Sequence, residues 1–470
     1  MGRNKKQFPD LLVERMHHSG HGYAESEGRP LLVEEGLPGD RVDGVERRKK
    51  KGLLHLRIDA LLEEGIPRVE PFCAHFDLCG GCTLQHLAYA DQLRLKEGIV
   101  ESSMREYLQL PEGEDPRREE ILPCERDRLY RNKLEFSFST GRWLTEEETV
   151  RQDEISDRRA LGFHVPGRFD RVVEVTECHL QPEPSNRIRN GLREFTIEGG
   201  YSYYDPKEHH GLLRLLMIRT GLSGEVQVTV MFGEDQPEAR EEILSFLLRS
   251  YPEIASLYYL VNSSRNDSFA GLRPVHHAGA PYITEGCGKL RFRIYPTSFY
   301  QTNPIQAVRL YDVAKEYAAL TGGETVYDLY SGLGSIALYL AEGAAKVVGI
   351  ETVEEAVASA RENAAVNGID NVTFYQGEVE SLLDRRFIAD QGAPDCVILD
   401  PPRPGVHERA LRVLLDARPP RIVYVSCNPL TQARDLAILQ EGYEIRRMRG
   451  VDMFPQTRHV EQVVALTLRG

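Results

Sequence analysis

The order of apolar and polar positions changes character along the chain, and its C-terminal part has the clearest pattern. From residue 296 to residue 470, short apolar runs alternate with stretches of helical periodicity. This alternation is typical of a doubly wound parallel sheet with helices on both faces. The predicted strands are E-T-V-Y-D-L-Y, K-V-V-G-I-E, V-T-F-Y-Q-G, C-V-I-L-D and I-V-Y-V-S-C. We therefore expect an α/β domain over residues 296–470.

The middle of the chain alternates with a period of two instead. The run Y-R-N-K-L-E-F-S-F-S, which starts at Tyr130, places Arg131 and Lys133 on one face of a strand. Further strand-like runs and the amphipathic stretch R-E-E-I-L-S-F-L-L-R-S-Y predict an α+β unit with a largely antiparallel sheet. We expect residues 63–295 to form a central domain that grips the substrate through Arg131 and Lys133.

The first 62 residues contain short β-like runs separated by Gly and Pro turns, which predicts a small barrel of the oligonucleotide-binding kind. One turn, E-R-R-K-K-K-G, carries five consecutive cations, Arg47 to Lys51. Such a run is usually a solvated loop, but on a small barrel it can also contact phosphates. If it does, neutralising it should flatten the salt dependence of RNA binding.

Composition indicates the type of protein and its compartment more than its activity. With 470 residues the chain has room for about three domains, and 41% hydrophobic and 28% charged residues are ordinary for a globular protein. We find no apolar run of membrane-spanning length and no signal peptide at the start, so we expect a cytoplasmic protein with no membrane partner, acting as a monomer. The formal net charge of −14 argues against binding nucleic acid by bulk charge but allows a local basic surface.

Four of the eight cysteines form a candidate metal site. Cys73, Cys79 and Cys82 lie close together around a Gly-Gly pair, and Cys178 is a distant fourth. Closely spaced thiols in a reducing compartment usually share a metal. Zinc is one possibility, with His75, His86 or His179 as substitute ligands; a cubane iron–sulfur cluster is the other. The pattern does not choose between them.

A glycine turn marks a candidate cofactor site. Asp328-Leu-Tyr-Ser-Gly-Leu-Gly joins the first predicted strand to its helix, and Gly332 and Gly334 allow a close backbone approach to a ligand. Glu351 ends the second strand, where a carboxylate can bind ribose hydroxyls. A nicotinamide dinucleotide would suit this turn, but D-L-Y-S and the later D-P-P favour S-adenosylmethionine. Asp400 of D-P-P-R ends the strand C-V-I-L-D at the same edge. It can be a capping residue of a stiff turn, but in Rossmann-like methyltransferases this position faces the transferable methyl group.

Cys427 ends the strand I-V-Y-V-S-C and lies at the edge where α/β sheets bind ligands. A cysteine there is often only a buried apolar residue, but a thiolate adding to position 6 of uracil would activate position 5 for methylation. A base must then remove the proton at position 5. The segment D-M-F-P-Q-T-R-H-V-E offers Glu461, with His459 beside it. Phe299 and Asn303 of S-F-Y-Q-T-N can stack and bind a flipped base, although Asn303-Pro304 also reads as a helix start.

These motifs resemble those of the RNA uracil-5-methyltransferases: S-F-Y-Q-T-N, D-L-Y-S-G-L-G, D-P-P-R-P-G, S-C-N-P-x-T-x-x-R-D-L and D-M-F-P-Q-T-x-H-V-E occur in the same order. G-x-G-Y-A with P-G-D-R-V resembles the RNA-binding TRAM barrel. The C-x-x-x-x-x-C-G-G-C spacing is similar to the iron–sulfur branch that methylates 23S ribosomal RNA. The fold implied is a Rossmann-like methyltransferase domain behind a TRAM-like barrel and a central iron–sulfur domain, with residues 91–124 packing against the C-terminal domain.

The resemblance also implies residue roles. A 4Fe-4S cluster is expected on Cys73, Cys79, Cys82 and Cys178, with Cys427 as nucleophile and Glu461 as base. S-adenosylmethionine contacts are expected from Gln301, Tyr330, Glu351 and Asp400. A transfer RNA uracil-5-methyltransferase is an alternative. A radical iron–sulfur RNA methylthiotransferase is another, although its usual C-x-x-x-C-x-x-C spacing differs, and an RNA chaperone with a vestigial methyltransferase fold is a third.

Overall fold

The structure, a computed structural model, describes residues 5–50, 52–109, 117–266, 269 and 271–470. It contains an N-terminal barrel, a central sheet and a C-terminal sheet. Among these described residues, we find no helix with the length and apolar character needed to cross a membrane.

The N-terminal barrel is closed by five strands in the order β1-β2-β3-β5-β4. The strands are β1 (Gln7–Met16), β2 (Gly22–Ser26), β3 (Arg29–Val33), β4 (Arg41–Lys50) and β5 (Leu53–Glu63). Alternate residues point inwards, so that Val13, Val33 and Leu56 form a solvent-free core. The predicted barrel is thus present.

The segment after the barrel joins the C-terminal part of the molecule, although it precedes the central sheet in sequence. It contains α1 (Tyr89–Tyr107) and β6 (Arg118–Leu122). Val100 and Met104 of α1 are buried in the same apolar cluster as Leu436. The strand β6 forms the edge of the C-terminal sheet. The C-terminal domain is therefore built from two separate parts of the chain.

The central sheet has seven strands in the order β13-β12-β11-β10-β7-β8-β9. Its elements are β7 (Lys133–Ser139), α2 (Glu146–Val150), β8 (Ala160–His164), β9 (Val172–Glu174), α3 (Ser185–Glu198), β10 (Leu213–Thr220), β11 (Val226–Phe232), α4 (Pro237–Ser250), β12 (Ile254–Val261) and β13 (Val275–Gly279). All pairs are antiparallel except β11 with β12, which α4 connects. Helix crossovers are how parallel neighbours are joined.

A hairpin, β14 (Ile283–Cys287) and β15 (Leu290–Ile294), leads into the C-terminal domain. Ile283, Phe292 and Ile294 are fully buried in the core of that domain. The hairpin thus packs with the C-terminal domain, although it precedes the boundary expected at residue 296.

The C-terminal sheet has eight strands in the order β18-β17-β16-β19-β20-β22-β21-β6. Its remaining elements are α5 (Pro304–Ala318), β16 (Thr325–Leu329), α6 (Ser335–Leu340), a 3-10 turn (Ala341–Gly343), β17 (Lys346–Glu351), α7 (Glu354–Val366), β18 (Val372–Gln376), α8 (Val379–Leu382), α9 (Arg385–Gln391), β19 (Cys396–Leu399), α10 (Glu408–Ala417), β20 (Arg421–Ser426), α11 (Pro429–Leu439), β21 (Tyr443–Val451) and β22 (Glu461–Leu468). The strands from β18 to β20 are parallel, and β22 enters antiparallel between β20 and β21. The α/β fold expected from the alternating pattern is confirmed.

Candidate active site

The thiol of Cys427 and the carboxyl group of Glu461 are brought together by strand register. Cys427 directly follows β20, and Glu461 is the first residue of β22, whose next residue, Gln462, pairs with Ser426. Because β20 and β22 are antiparallel neighbours, the end of one meets the start of the other. Both residues line one cavity of about 520 Å³, together with Arg403.

Burial controls the protonation of this pair. Glu461 is 4% exposed, and its burial, aided by the nearby charge of Asp400, raises its pKa to about 8. Burial also raises the pKa of the Cys427 thiol to about 11, with the charges of Glu461 and Asp400 acting in the same direction. The positive charge of Arg403 opposes both shifts. The free site therefore holds a neutral thiol beside a mostly neutral carboxyl group at pH 7.

The glycine turn lies after β16, at the same edge of the sheet. Tyr330, Gly332 and Gly334 have φ angles of 69°, 55° and 86°, so this turn uses left-handed backbone three times. A Cβ on Gly334 would lie 2.7 Å from the ring of Phe374. The carboxylate of Glu351 accepts a hydrogen bond of 2.9 Å from the Gly332 amide, which fixes it across the turn.

Unsatisfied polar atoms beside this turn fit a polar ligand. Asp328 is 1% exposed, and its Oδ1 has no partner among the described residues, while its Oδ2 accepts from the Ala337 amide at 3.0 Å. The hydroxyl of Ser331 is likewise buried without a described partner. A Cβ on Gly332 would meet nothing within 4 Å, so there is open space over the turn. Buried polar groups normally have partners, so these atoms suit S-adenosylmethionine.

Asp400 connects the two halves of the site. It follows β19, and its charge acts on Asp328 at the glycine turn as well as on Cys427 and Glu461. Burial raises the pKa of Asp400 to about 7. Asp400 is therefore near enough to the glycine turn and to the thiol for its charge to act on both.

The loop before α5 carries three residues that the sequence predicts as ligand contacts, and they differ in exposure. Phe299 is 71% exposed and lines the cavity, where its ring is free to stack on a base. Gln301 is 8% exposed. Asn303 is fully buried; its side chain caps α5 at the Gln306 amide and donates to the carbonyl of Met453 at 3.1 Å. The structure therefore corrects the predicted contact between Asn303 and the base, because its amide is already used by the protein.

Arg131 and Lys133 both line the cavity, on the wall formed by the start of β7. The Nε atom of Arg131 donates to the carbonyl of Lys133 at 3.0 Å, and Lys133 forms an ion pair of 2.9 Å with Glu135. Burial lowers the pKa of Lys133. This wall of the cavity is therefore polar, and its lysine is paired with a carboxylate.

The four candidate metal ligands line the same cavity as Cys427 and Glu461. The pKa of Cys82 is raised to about 12 and that of Cys79 to about 11, in each case by burial first and then by the charges of the neighbouring thiols, which include Cys73 and Cys178. Even so, the described residues contain no group of three or more His, Cys, Asp or Glu side chains placed to hold a metal ion. The four thiols thus share a cavity, but the described residues do not support the predicted metal site.

A buried network holds the loop that leads to Glu461, and sequence patterns did not reveal it. Lys96 of α1 and Asp452 form a fully buried ion pair of 2.5 Å, and Lys96 also donates to the carbonyl of Phe454. The amide of Leu84, just after the Cys82 thiol, donates to the carbonyl of Gln456. Each partner is several hundred residues from the loop in sequence, so periodicity carries no sign of these contacts.

The basic run of the barrel is partly neutralised. Arg47 and Arg48 both form ion pairs with the buried carboxylate of Glu34. Lys49 and Lys50 are exposed at the end of β4, and Lys51 lies outside the described residues. Two of the five predicted phosphate contacts are thus already engaged within the barrel.

Comparison with known proteins identifies relatives of the whole chain. The family model for tRNA (uracil-5-)-methyltransferase matches residues 285–469. An uncharacterized RNA methyltransferase of Bacteroides thetaiotaomicron is 44% identical over 97% of this chain and 100% of its own length. One of Porphyromonas gingivalis is also 44% identical, over 98% and 99%.

Among solved structures, the chain is similar to the Pyrococcus abyssi tRNA (uracil-54, C5)-methyltransferase in complex with S-adenosyl-L-homocysteine. The TM-score is 0.72 at 29% identity, with 97% of this chain and 100% of the other covered. The similarity includes the barrel as well as the C-terminal domain, because so little of the chain is left unmatched.

Proposed function

The chain belongs to the RNA uracil-5-methyltransferase family and is an S-adenosylmethionine-dependent enzyme; from this premise we propose that it methylates carbon 5 of a uridine through a covalent adduct with Cys427. The observation that carries the proposal is the pairing of a thiol and a buried carboxyl group in one cavity, at the same sheet edge as the glycine turn, with the charge of Asp400 acting on both. A methyltransferase acting on an exocyclic amine needs no such thiol.

The reaction begins with Cys427. Its thiol loses its proton to solvent, and the positive charge of Arg403, which lowers the Cys427 pKa, favours the thiolate. The thiolate adds to C6 of the uracil, and the electron pair of the C5–C6 bond moves towards O4 as an enolate. The ring carbon C5 then carries the nucleophilic character that uracil itself lacks.

S-adenosylmethionine, when bound at the glycine turn, supplies the electrophilic methyl group. Glu351, held by the Gly332 amide, would bind its ribose, and Gln301, Tyr330 and Asp400 would line the remainder of its site. After methylation, the Glu461 carboxylate takes the proton from C5, the C5–C6 double bond re-forms, and Cys427 leaves as a thiolate. Phe299 stacks on the base while Arg131 and Lys133 contact the RNA backbone.

For the RNA, we propose 23S ribosomal RNA in the cytoplasm, methylated by a monomer. The resemblance of the barrel and the cysteine spacing to the ribosomal branch supports this choice, and a single chain supplies all residues of the site. Transfer RNA is the second candidate, because the Pyrococcus abyssi protein acts on tRNA by its description and aligns over 97% of this chain.

We also propose that Cys73, Cys79, Cys82 and Cys178 hold a 4Fe-4S cluster. Their shared cavity supports it, because in a cubane each thiolate binds its own iron and the four sulfur atoms surround a larger body than one ion. Anaerobic purification with iron and sulfide analysis tests this; stoichiometric zinc would contradict it.

The activity is tested with labelled S-adenosylmethionine and transcripts of 23S ribosomal RNA and of transfer RNA, followed by mapping of 5-methyluridine. We expect product in the ribosomal transcript. The Cys427→Ala variant should lose both turnover and the covalent complex with RNA that contains 5-fluorouracil, whereas Cys396→Ala should retain both. Methylation by Cys427→Ala would refute the adduct, and product in transfer RNA alone would select the second candidate.

A further inference from the structure

A second cavity lies on the central domain, away from the thiol and the glycine turn. Its volume is about 680 Å³, and we call it the β7-end pocket. Ser137 and Ser139, at the end of β7, line it, whereas Lys133 and Glu135, at the start of the same strand, line the catalytic cavity. Since alternate residues of a strand share a face, these four side chains form one row.

The distance between the two cavities follows from the number of β7 residues that separate them. Lys133 and Ser139 are six residues apart on β7, so the β7-end pocket lies about 20 Å along the strand from the start of the catalytic wall. The two cavities are also linked by the cysteine loop, because the Gly80 amide donates to the carbonyl of His164 at 3.3 Å, and His164 lines the β7-end pocket. A strand of RNA that runs along this face would meet both.

The side chains of the pocket combine aromatic faces with cations. Phe169 is 70% exposed, which is unusual for a phenylalanine and leaves its ring open for stacking. The hydroxyl of Tyr204 lies 3.3 Å from Nδ1 of His209. The Tyr204 ring is buried, with the guanidinium of Arg214 4.1 Å from its centre, so Phe169 is the ring that is open to a base. Aromatic side chains that offer a face are how proteins hold unstacked bases.

The charges of the pocket suit a phosphate. Arg168 and Arg265 line it, and its described lining residues include no Asp or Glu. The Nε atom of Arg168 forms an ion pair of 3.1 Å with Asp170, and its two terminal nitrogens have no acceptor among the described residues. Arg214 donates to the carbonyls of Asn262 and Ser264, and so supports the segment that carries Arg265. In a chain of net charge −14, such a surface is a local exception.

We propose that the β7-end pocket binds an unstacked nucleotide of the same RNA strand whose uridine enters the catalytic cavity, with Phe169 stacking on the base and Arg168 and Arg265 contacting its phosphate. This inference rests on the proposed function. It gives the enzyme a second point of contact and makes affinity depend on RNA that extends beyond the target uridine.

The test compares two RNAs, one with only the target uridine and its nearest neighbours, and one extended by unpaired nucleotides on both sides. Phe169→Ala should raise the Kd for the long RNA about tenfold, as for one lost base stack. Arg265→Ala should reduce the salt slope of binding by about 0.7, as for one phosphate contact on a single strand. Neither variant should change kcat, or the Kd for the short RNA.

Matched controls are Val366→Ala and Arg385→Ala, which remove exposed side chains on the C-terminal domain. Unchanged binding of the long RNA by both pocket variants, or equal weakening for the short RNA, would overturn the inference. Because Kd is measured without turnover, the outcome is separate from the proposed function: if the wild-type protein methylates no uridine, that function fails while the length dependence still tests the pocket.

Discussion

Replacing Glu461 by Gln keeps the size of the side chain and removes its ability to accept a proton. If Glu461 takes the C5 proton, the Glu461→Gln variant still forms the adduct and methylates C5, but it cannot release the product. We therefore expect a covalent complex between RNA and protein to accumulate with ordinary uridine, without 5-fluorouracil. Turnover should fall by about 10²–10⁴-fold, the usual contribution of a positioned general base.

The magnitude of the pH effect follows from burial. Glu461 must be deprotonated to take the C5 proton, and its pKa of about 8 means that the rate at which the methylated covalent complex releases its RNA should rise about tenfold per pH unit up to about pH 8 and then level. The Gln variant should lack this rise. The assay is single-turnover and steady-state methylation between pH 6 and pH 9, with the RNA complex followed on denaturing gels.

Stability should change with pH in the opposite direction to activity. The folded pKa of Glu461 is raised from 4.5 to about 8, so its contribution is favourable at low pH and is lost as the pH rises through 8. A tenfold change in proton affinity corresponds to about 1.4 kcal/mol. The unfolding free energy of the wild-type protein should therefore fall by about 3 kcal/mol between pH 6 and pH 9, whereas that of the variant should not change with pH for this reason. Urea unfolding at the two pH values measures this difference.

Three results would refute this reasoning. They are a variant that turns over at the wild-type rate, a variant that loses activity without accumulating the RNA complex, and a difference in unfolding free energy that does not depend on pH. The third would show that Glu461 is ionised in the folded protein, which its burial argues against.

Three further predictions concern other parts of the molecule. Glu351→Gln should weaken S-adenosylmethionine binding by about tenfold or more in calorimetry, because a charge-assisted hydrogen bond to the ribose is lost; unchanged affinity would place the ribose elsewhere. Lys96→Met should destabilise the protein by about 3–5 kcal/mol in urea unfolding, since it leaves Asp452 buried and unpaired. Adding Asp452→Leu should restore most of the lost stability. A double variant that is less stable than Lys96→Met would contradict this. Replacing both Lys49 and Lys50 by Gln should reduce the salt slope of RNA binding by about 1.4–1.8, and an unchanged slope would make them solvated side chains only.

The local motifs were readable because each depends on a short stretch of chain. A strand that ends in Gly-Leu-Gly or in Asp-Pro-Pro forces a turn at the edge of the sheet, whatever the rest of the protein does. The position of Phe299 could likewise be predicted from its own loop. Asn303 shows the limit of such reasoning, because its neighbours fit either a base contact or a helix cap, and only burial against Met453 selects the cap.

The sequence by itself therefore determined the α/β fold, the barrel, and the residue types that carry the chemistry. Only the tertiary structure decided which of them meet. Glu461 reaches Cys427 because β22 inserts antiparallel beside β20, and the cysteine loop shares a cavity with that pair although it lies in another domain. Such contacts join residues hundreds of positions apart, and their free energy comes from burying surfaces that no local period describes.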